Sequence, residues 1–134
     1  MAEQIELELD SPERQLVHEN VDSVEVPGAS GYLGVLPGHA PLAGKLGAGV
    51  LRYAAGGRRR SIAVADGFIE VLPEAVRFLA GVAERSEEID VPRARAALER
   101  AQQAQASATS TEACDEAGAA AQRAAARIAA AAEK

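Results

Sequence analysis

Cysteine, histidine and tryptophan are almost missing from this 134-residue sequence, which has one cysteine, two histidines and no tryptophan. A single cysteine, Cys114, excludes an internal disulfide framework and suits a reducing compartment. So few soft ligands make a structural zinc site hard to assemble, and no metal is expected. Long apolar runs are also missing. No stretch approaches the ~18 residues needed to cross a bilayer, so no transmembrane segment is expected. The polar, alternating opening Met1–Asp10 is unlike a signal peptide. Positive charge is short as well. Fourteen Lys and Arg stand against 20 Asp and Glu, a formal net charge of −6. A nucleic-acid partner is not expected from that balance. Hydrophobic residues still make up 48%, enough for a packed core.

What is present is unevenly spread. Ten of the 12 glycines fall between Gly28 and Gly67, and five of the six prolines precede Pro92. Residues 92–134 hold 19 alanines and one glycine. Residues 1–88 carry all the net charge, 14 acids against 8 bases, while residues 89–134 balance at six each. The two compositions predict two units, 1–86 and 89–134, with the border near Ser86–Asp90.

The first unit reads as β. Gln4–Asp10 alternates apolar and polar residues with period two, and Ser11-Pro12-Glu13 ends it. Short segments follow at 15–18, 22–26, 49–53, 60–64, 68–72 and 76–80, separated by Gly and Pro. Ala54-Ala55-Gly56-Gly57 reads as a hairpin turn. This predicts a mainly β plus α protein: an N-terminal antiparallel β-sandwich followed by a C-terminal antiparallel two-helix hairpin. The expected sandwich interior and sheet contacts are Ile5, Leu7, Leu9, Val24, Val26, Leu51, Ile62, Val64, Phe68, Ile69, Val76, Phe78 and Leu79.

The second unit reads as two helices. Asp90 is a good N-cap, and Pro92 sits in the first turn, where its missing N–H is harmless. Helix one is expected over 91–106. The hydroxyl-rich break Ser107–Thr111 follows, with Thr111 as cap of helix two over 112–132. Beyond Val91 the only large aliphatic residues are Leu98 and Ile128, so the apolar stripe is thin. Such a hairpin either detaches readily or packs as a compact alanine-rich pair, and composition leaves both open. Residues 1–85 should fold without it.

One segment has a distinctive text. Gly31-Tyr32-Leu33-Gly34-Val35-Leu36-Pro37-Gly38-His39-Ala40-Pro41-Leu42 closely resembles the loop-and-strand signature of the epsilon subunits of proton-translocating (F-type) ATP synthases, bacterial type. Gly49-Val50-Leu51-Arg52, Asp66–Val71, Leu7–Arg14 and the Ile89-Asp90 border continue the likeness over essentially the whole chain. The sequence departs from the family at Asp66, where glycine is frequent, at Tyr32, and in its leucine-poor second helix. The resemblance implies a non-catalytic rotor subunit, peripheral on the cytoplasmic face of the bacterial inner membrane. Its sandwich would touch the gamma subunit and the membrane proteolipid ring. Its hairpin would lie folded or extend to the catalytic alpha and beta subunits and block ATP hydrolysis. No cofactor is required by the family, and ATP is a regulatory ligand of some members.

The likeness also implies sites. Tyr32, Pro37, Gly38 and His39 stand at the ring contact. Glu84, Ile89, Asp90, Arg93, Ala94, Arg123 and Arg127 stand at the nucleotide site, with Ile89–Ala94 carrying the family's Asp-x-x-Arg-Ala motif. Arg123 and Arg127, four apart, share one helix face, and arginines fork onto phosphate oxygens. The same residues also read more simply. His39 is an exposed loop histidine, Asp90 caps a helix, and the arginines are its polar face. The glycines between Gly31 and Gly49 lack the Lys-Ser or Lys-Thr of a phosphate loop and serve turns. Arg58-Arg59-Arg60 is a solvated turn or a contact for acidic surface or lipid headgroups. Cys114, flanked by Asp115, reads as structural. A free-standing nucleotide-responsive module is the alternative. A jelly-roll enzyme is disfavoured, because the β part has no acid–base cluster.

Overall fold

A computed structural model describes residues 3–133. The alternating segments form eight strands: β1 (Ile5–Asp10), β2 (Gln15–Val21), β3 (Ser23–Gly28), β4 (Gly31–Val35), β5 (Leu42–Leu46), β6 (Gly49–Ala55), β7 (Arg58–Val71) and β8 (Ala75–Arg85). They pair in the order β2-β1-β8-β7-β5-β3-β4, with β6 joining β7 to β3. The 14-residue β7 runs through both layers, its first half against β6 and its second against β5. The pairings are antiparallel except one, β1 on β8, which is parallel from Glu6↔Ala75 to Asp10↔Leu79.

Three residues at positive φ shape this path. Gly56 and Gly57 both have positive φ, 58° and 80°, and close the two-residue β6–β7 hairpin as the double glycine predicts. In the middle of β7, Asp66 takes φ 59°, a left-handed conformation that non-glycine residues rarely adopt. At the next residue β7 and β8 nearly touch. A Cβ on Gly67 would lie 1.8 Å from the Leu79 carbonyl oxygen.

The sandwich interior is built from aliphatic residues of every strand, with Ile5, Leu7, Leu9, Val26 and Leu51 completely or almost completely shielded. Eleven of the 13 residues expected inside are there. Phe68 and Leu79 are not: they are 62% and 56% exposed. Neighbours along a strand point to opposite faces. Of Phe68-Ile69 and Phe78-Leu79, only one member of each pair can therefore enter the core, and Ile69 and Phe78 do. Phe68 and Leu79 sit opposite each other on β7 and β8, on the outer face.

A 3₁₀ turn at Ser86–Glu88 leads into α1 (Val91–Ala106) and α2 (Thr111–Ala131). Asp90 caps α1, its Oδ1 accepting the Arg93 N–H at 3.1 Å. The cap of α2 is Ser110 rather than the expected Thr111. Ser110 keeps an extended backbone, and its hydroxyl accepts the Ala113 N–H at 3.0 Å. The hairpin lies folded: α1 packs along α2, and α2 rests on β6 and β7. Ala126, Ala130 and Ala131 of α2 meet Val50 and Ala63 of the sheet, with Ile89 and Val91 at the margin. Methyl-sized groups contribute only about 0.8 kcal/mol each on burial, so this seam is thin.

Candidate functional site

The seam between hairpin and sandwich opens into a cleft of about 430 Å³. It brings together six of the seven residues expected at a nucleotide site: Glu84, Ile89, Asp90, Arg93, Ala94 and Arg127. Three elements position them. β8 supplies Glu84, the cap and first turn of α1 supply Asp90, Arg93 and Ala94, and α2 supplies Arg127. The seventh, Arg123, lies one turn back, in the adjoining groove between the helices. Sequence reasoning missed Arg100, which lines both cavities. Its signal was available: Arg100 follows Arg93 by seven residues, two helical turns, and shares its face.

The acids and bases of the cleft are partly matched already. Arg127 Nε donates to Glu84 Oε1 at 2.5 Å. Arg123 pairs with Asp66 at 3.6 Å. Glu88 is held by Arg14, whose Nη1 and Nη2 reach its two oxygens at 3.0 and 2.9 Å. That fork keeps the Glu88 carboxyl below its usual range, against the opposing effect of burial. Arg93 and Arg100 reach no carboxylate among the described residues, leaving two guanidinium groups facing the opening. A phosphate chain entering here would meet Arg93, Arg100 and Arg127, geometry that suits forked contacts to phosphate oxygens.

The residues expected at a ring contact do not form one cluster. Pro37, Gly38 and His39 make a single turn after β4. The Gly38 N–H donates to Pro73 O at 2.8 Å, and His39 Nδ1 lies 2.7 Å from Ala40 O. Leu36, beside them, is 62% exposed. Tyr32 sits at the other end of β4 and leans over β6. Its hydroxyl accepts the Val50 N–H at 3.0 Å, and the Arg52 guanidinium lies 5.7 Å from its ring centre. Among the described residues no group of three or more His, Cys, Asp or Glu could hold a metal, and no helix is long and apolar enough to cross a membrane.

Comparison with known proteins fits this architecture. Residues 4–86 match the family described as ATP synthase, Delta/Epsilon chain, beta-sandwich domain. The chain is 62% identical over 102 residues to the ATP synthase epsilon chain of Solibacter usitatus, covering 76% of each. It is 47% identical over 128 residues to that of Syntrophobacter fumaroxidans, covering 96% of each. A chain in the cryo-EM structure of the Euglena gracilis mitochondrial ATP synthase, OSCP/F1/c-ring in rotational state 1, superposes with a TM-score of 0.82 at 25% identity. That match covers 98% of this chain and 82% of the other. A sandwich and hairpin of this form, with relatives at that level over nearly the full length, make the chain a member of the ATP synthase epsilon-chain family, the non-catalytic stalk subunits of that complex.

Proposed function

We propose that this chain is a rotor subunit in the central stalk of a bacterial ATP synthase, coupling proton flow to ATP synthesis from the cytoplasmic face of the inner membrane. Its sandwich joins the gamma subunit to the proteolipid ring, with Pro37, Gly38 and His39 in the ring-facing turn. The exposed Phe68 and Leu79 offer the large apolar side chains a permanent stalk contact needs. The hairpin is the regulatory part. Extended toward the catalytic alpha and beta subunits, it blocks ATP hydrolysis; folded, it is held on the sandwich and binds ATP as a regulatory ligand.

The observation that carries this reading is the cleft that gathers Glu84, Asp90, Arg93 and Arg127 from three separate elements. A ligand there bridges hairpin and sandwich, so it stabilises the folded form by its differential affinity for that state. Two measurements test the reading. Calorimetry should detect ATP binding to the isolated protein and its weakening in Arg93→Ala. Membranes carrying protein truncated at Ser86 should assemble normally and hydrolyse ATP faster than those with the full chain. Absence of heat at millimolar ATP removes the sensing role. Unchanged hydrolysis with normal assembly removes the inhibitory one.

A further inference from the structure

Glu133, two residues past α2, is bound to the sandwich as a ligand would be. Arg52 grips both of its oxygens, Nε to Oε1 at 2.7 Å and Nη2 to Oε2 at 2.6 Å. Ser61, a buried serine, donates its hydroxyl to Oε1 at 2.9 Å. The receptor is braced from behind. Arg52 lies against the Tyr32 ring and within 3.6 Å of Glu25, and the Val50 N–H fixes the Tyr32 hydroxyl. Every part of this receptor belongs to the sandwich, and only the carboxylate comes from the helical side. A planar fork plus a hydroxyl is a general oxyanion receptor, suited to phosphate as well as to carboxylate.

Beside Glu133 the surface opens into a second cavity, of about 300 Å³. Arg58, Arg59, Arg60 and Arg85 line it with Ser61 and Ser86, against two acids, Glu87 and Glu133 itself. Arg58, Arg59 and Arg60 are in no ion pair among the described residues, and four arginines against two carboxylates leave the cavity positively charged. It shares no lining residue with the cleft that holds Arg93.

We propose that Arg52, Ser61 and the arginine-lined cavity form an oxyanion site, with Glu133 as its internal ligand and a phosphate group as the external competitor. The two cannot share it. Both draw on the Arg52 fork and the Ser61 hydroxyl, and two anions at that separation repel. A phosphate that takes the site displaces Glu133 and frees the end of α2, so it favours the released hairpin. ATP in the Arg93 cleft has the opposite sign, since it favours the folded hairpin. The inference rests on the hairpin having a released state, as in the function proposed above. The phosphate group is either free in solution or carried on a nucleotide.

The test uses the full chain and inorganic phosphate, read by calorimetry and by the rate of tryptic cleavage at Arg123 and Arg127. Phosphate should bind and speed cleavage. Arg52→Gln should weaken phosphate binding about tenfold by removing the fork, and Glu133→Gln should strengthen it about tenfold by removing the competitor. Both variants loosen the hairpin, so opposite effects on phosphate affinity cannot come from loosening. In Arg93→Ala, which removes a phosphate contact from the other cleft, phosphate should still speed cleavage. In that background, ATP that speeds cleavage as phosphate does shows that nucleotide phosphates also reach the site, and ATP without effect restricts it to free phosphate. The proposal is overturned if phosphate leaves cleavage unchanged, if Arg52→Gln binds it normally, or if Arg93→Ala abolishes binding. Failure of ATP to bind the Arg93 cleft would leave these outcomes intact, so the two readings fail separately.

Discussion

Arg127 on α2 and Glu84 on β8 are joined at 2.5 Å, tying hairpin to sandwich at the mouth of the cleft. The two substitutions of this pair should part company. Arg127→Ala removes the tie and, with ATP in the cleft as proposed, a phosphate contact, so ATP affinity should fall about tenfold or more. Glu84→Gln removes only the tie and leaves the guanidinium free for phosphate, so ATP affinity should hold or rise. Calorimetry on the two variants checks this. Equal losses would mean that Arg127 acts only as a structural tie.

Phe68 and Ile69 are chain neighbours with opposite fates, 62% and 5% exposed. Ile69→Ala should cost about 2–5 kcal/mol in chemical denaturation, as buried aliphatic truncations do. Phe68→Ala should cost under about 1 kcal/mol. Its effect belongs elsewhere: together with Leu79→Ala it should weaken co-purification with the rest of the stalk. A double variant that assembles normally would leave this apolar pair without a partner.

Asp66 occupies a left-handed backbone position and pairs with Arg123. Replacing it with glycine separates the two roles. Asp66→Gly should relieve about 1 kcal/mol of backbone strain and raise the denaturation midpoint of the sandwich. It should also loosen α2, seen as faster hydrogen exchange between residues 120 and 128. A lower midpoint would mean that the aspartate side chain matters more to stability than its backbone strain does.

Acid should release Glu133. The Arg52 hydrogen bonds hold its carboxyl below the ordinary value near 4.5, burial opposes them, and the Ser61 hydroxyl adds to the lowering. Because the folded value is depressed, this contribution is complete above the unfolded value and fades as pH falls through the folded one. Arg59 acts in the same direction as Arg52. Glu88, held low by Arg14, titrates the same way, so Glu133→Gln is the reference. Protection of the end of α2 from hydrogen exchange, taken relative to the intrinsic rate at each pH, should fall below about pH 4.5 in the wild type and change less in Glu133→Gln. Parallel pH profiles would remove Glu133 as the titrating group.

Much of this architecture is legible in the sequence, for identifiable reasons. Period-two alternation in Gln4–Asp10 is a local signal and yields β1 directly. Asp90 and Pro92 mark the start of α1 through the chemistry of a helix N-terminus. The double glycine at 56 and 57 gives the hairpin its turn. What escaped depends on parity and on distance. Both Phe68-Ile69 and Phe78-Leu79 are apolar pairs, and only the phase of each strand decides which member faces inward. The parallel β1–β8 pairing joins residues about seventy apart, beyond the reach of any local pattern. In the candidate site, Asp90, Arg93 and Ala94 share a motif and were readable. Arg100 was overlooked, although its two-turn spacing from Arg93 was visible. Nothing in the text near Arg52 or Glu133 announces that they meet, because their contact exists only once α2 lies across β6.

The seam under α2 shares no residue with the sandwich core, and the helix brings only alanine methyls to it. Heat capacity changes in proportion to the apolar area exposed, and here that area is small. The balance between docked and released hairpin should therefore lack the strong curvature with temperature that governs unfolding of the sandwich. Ion pairs, not dry surface, set its position. With a hairpin that releases as proposed above, temperature would shift this balance smoothly and without a maximum, while ionic strength would move it readily.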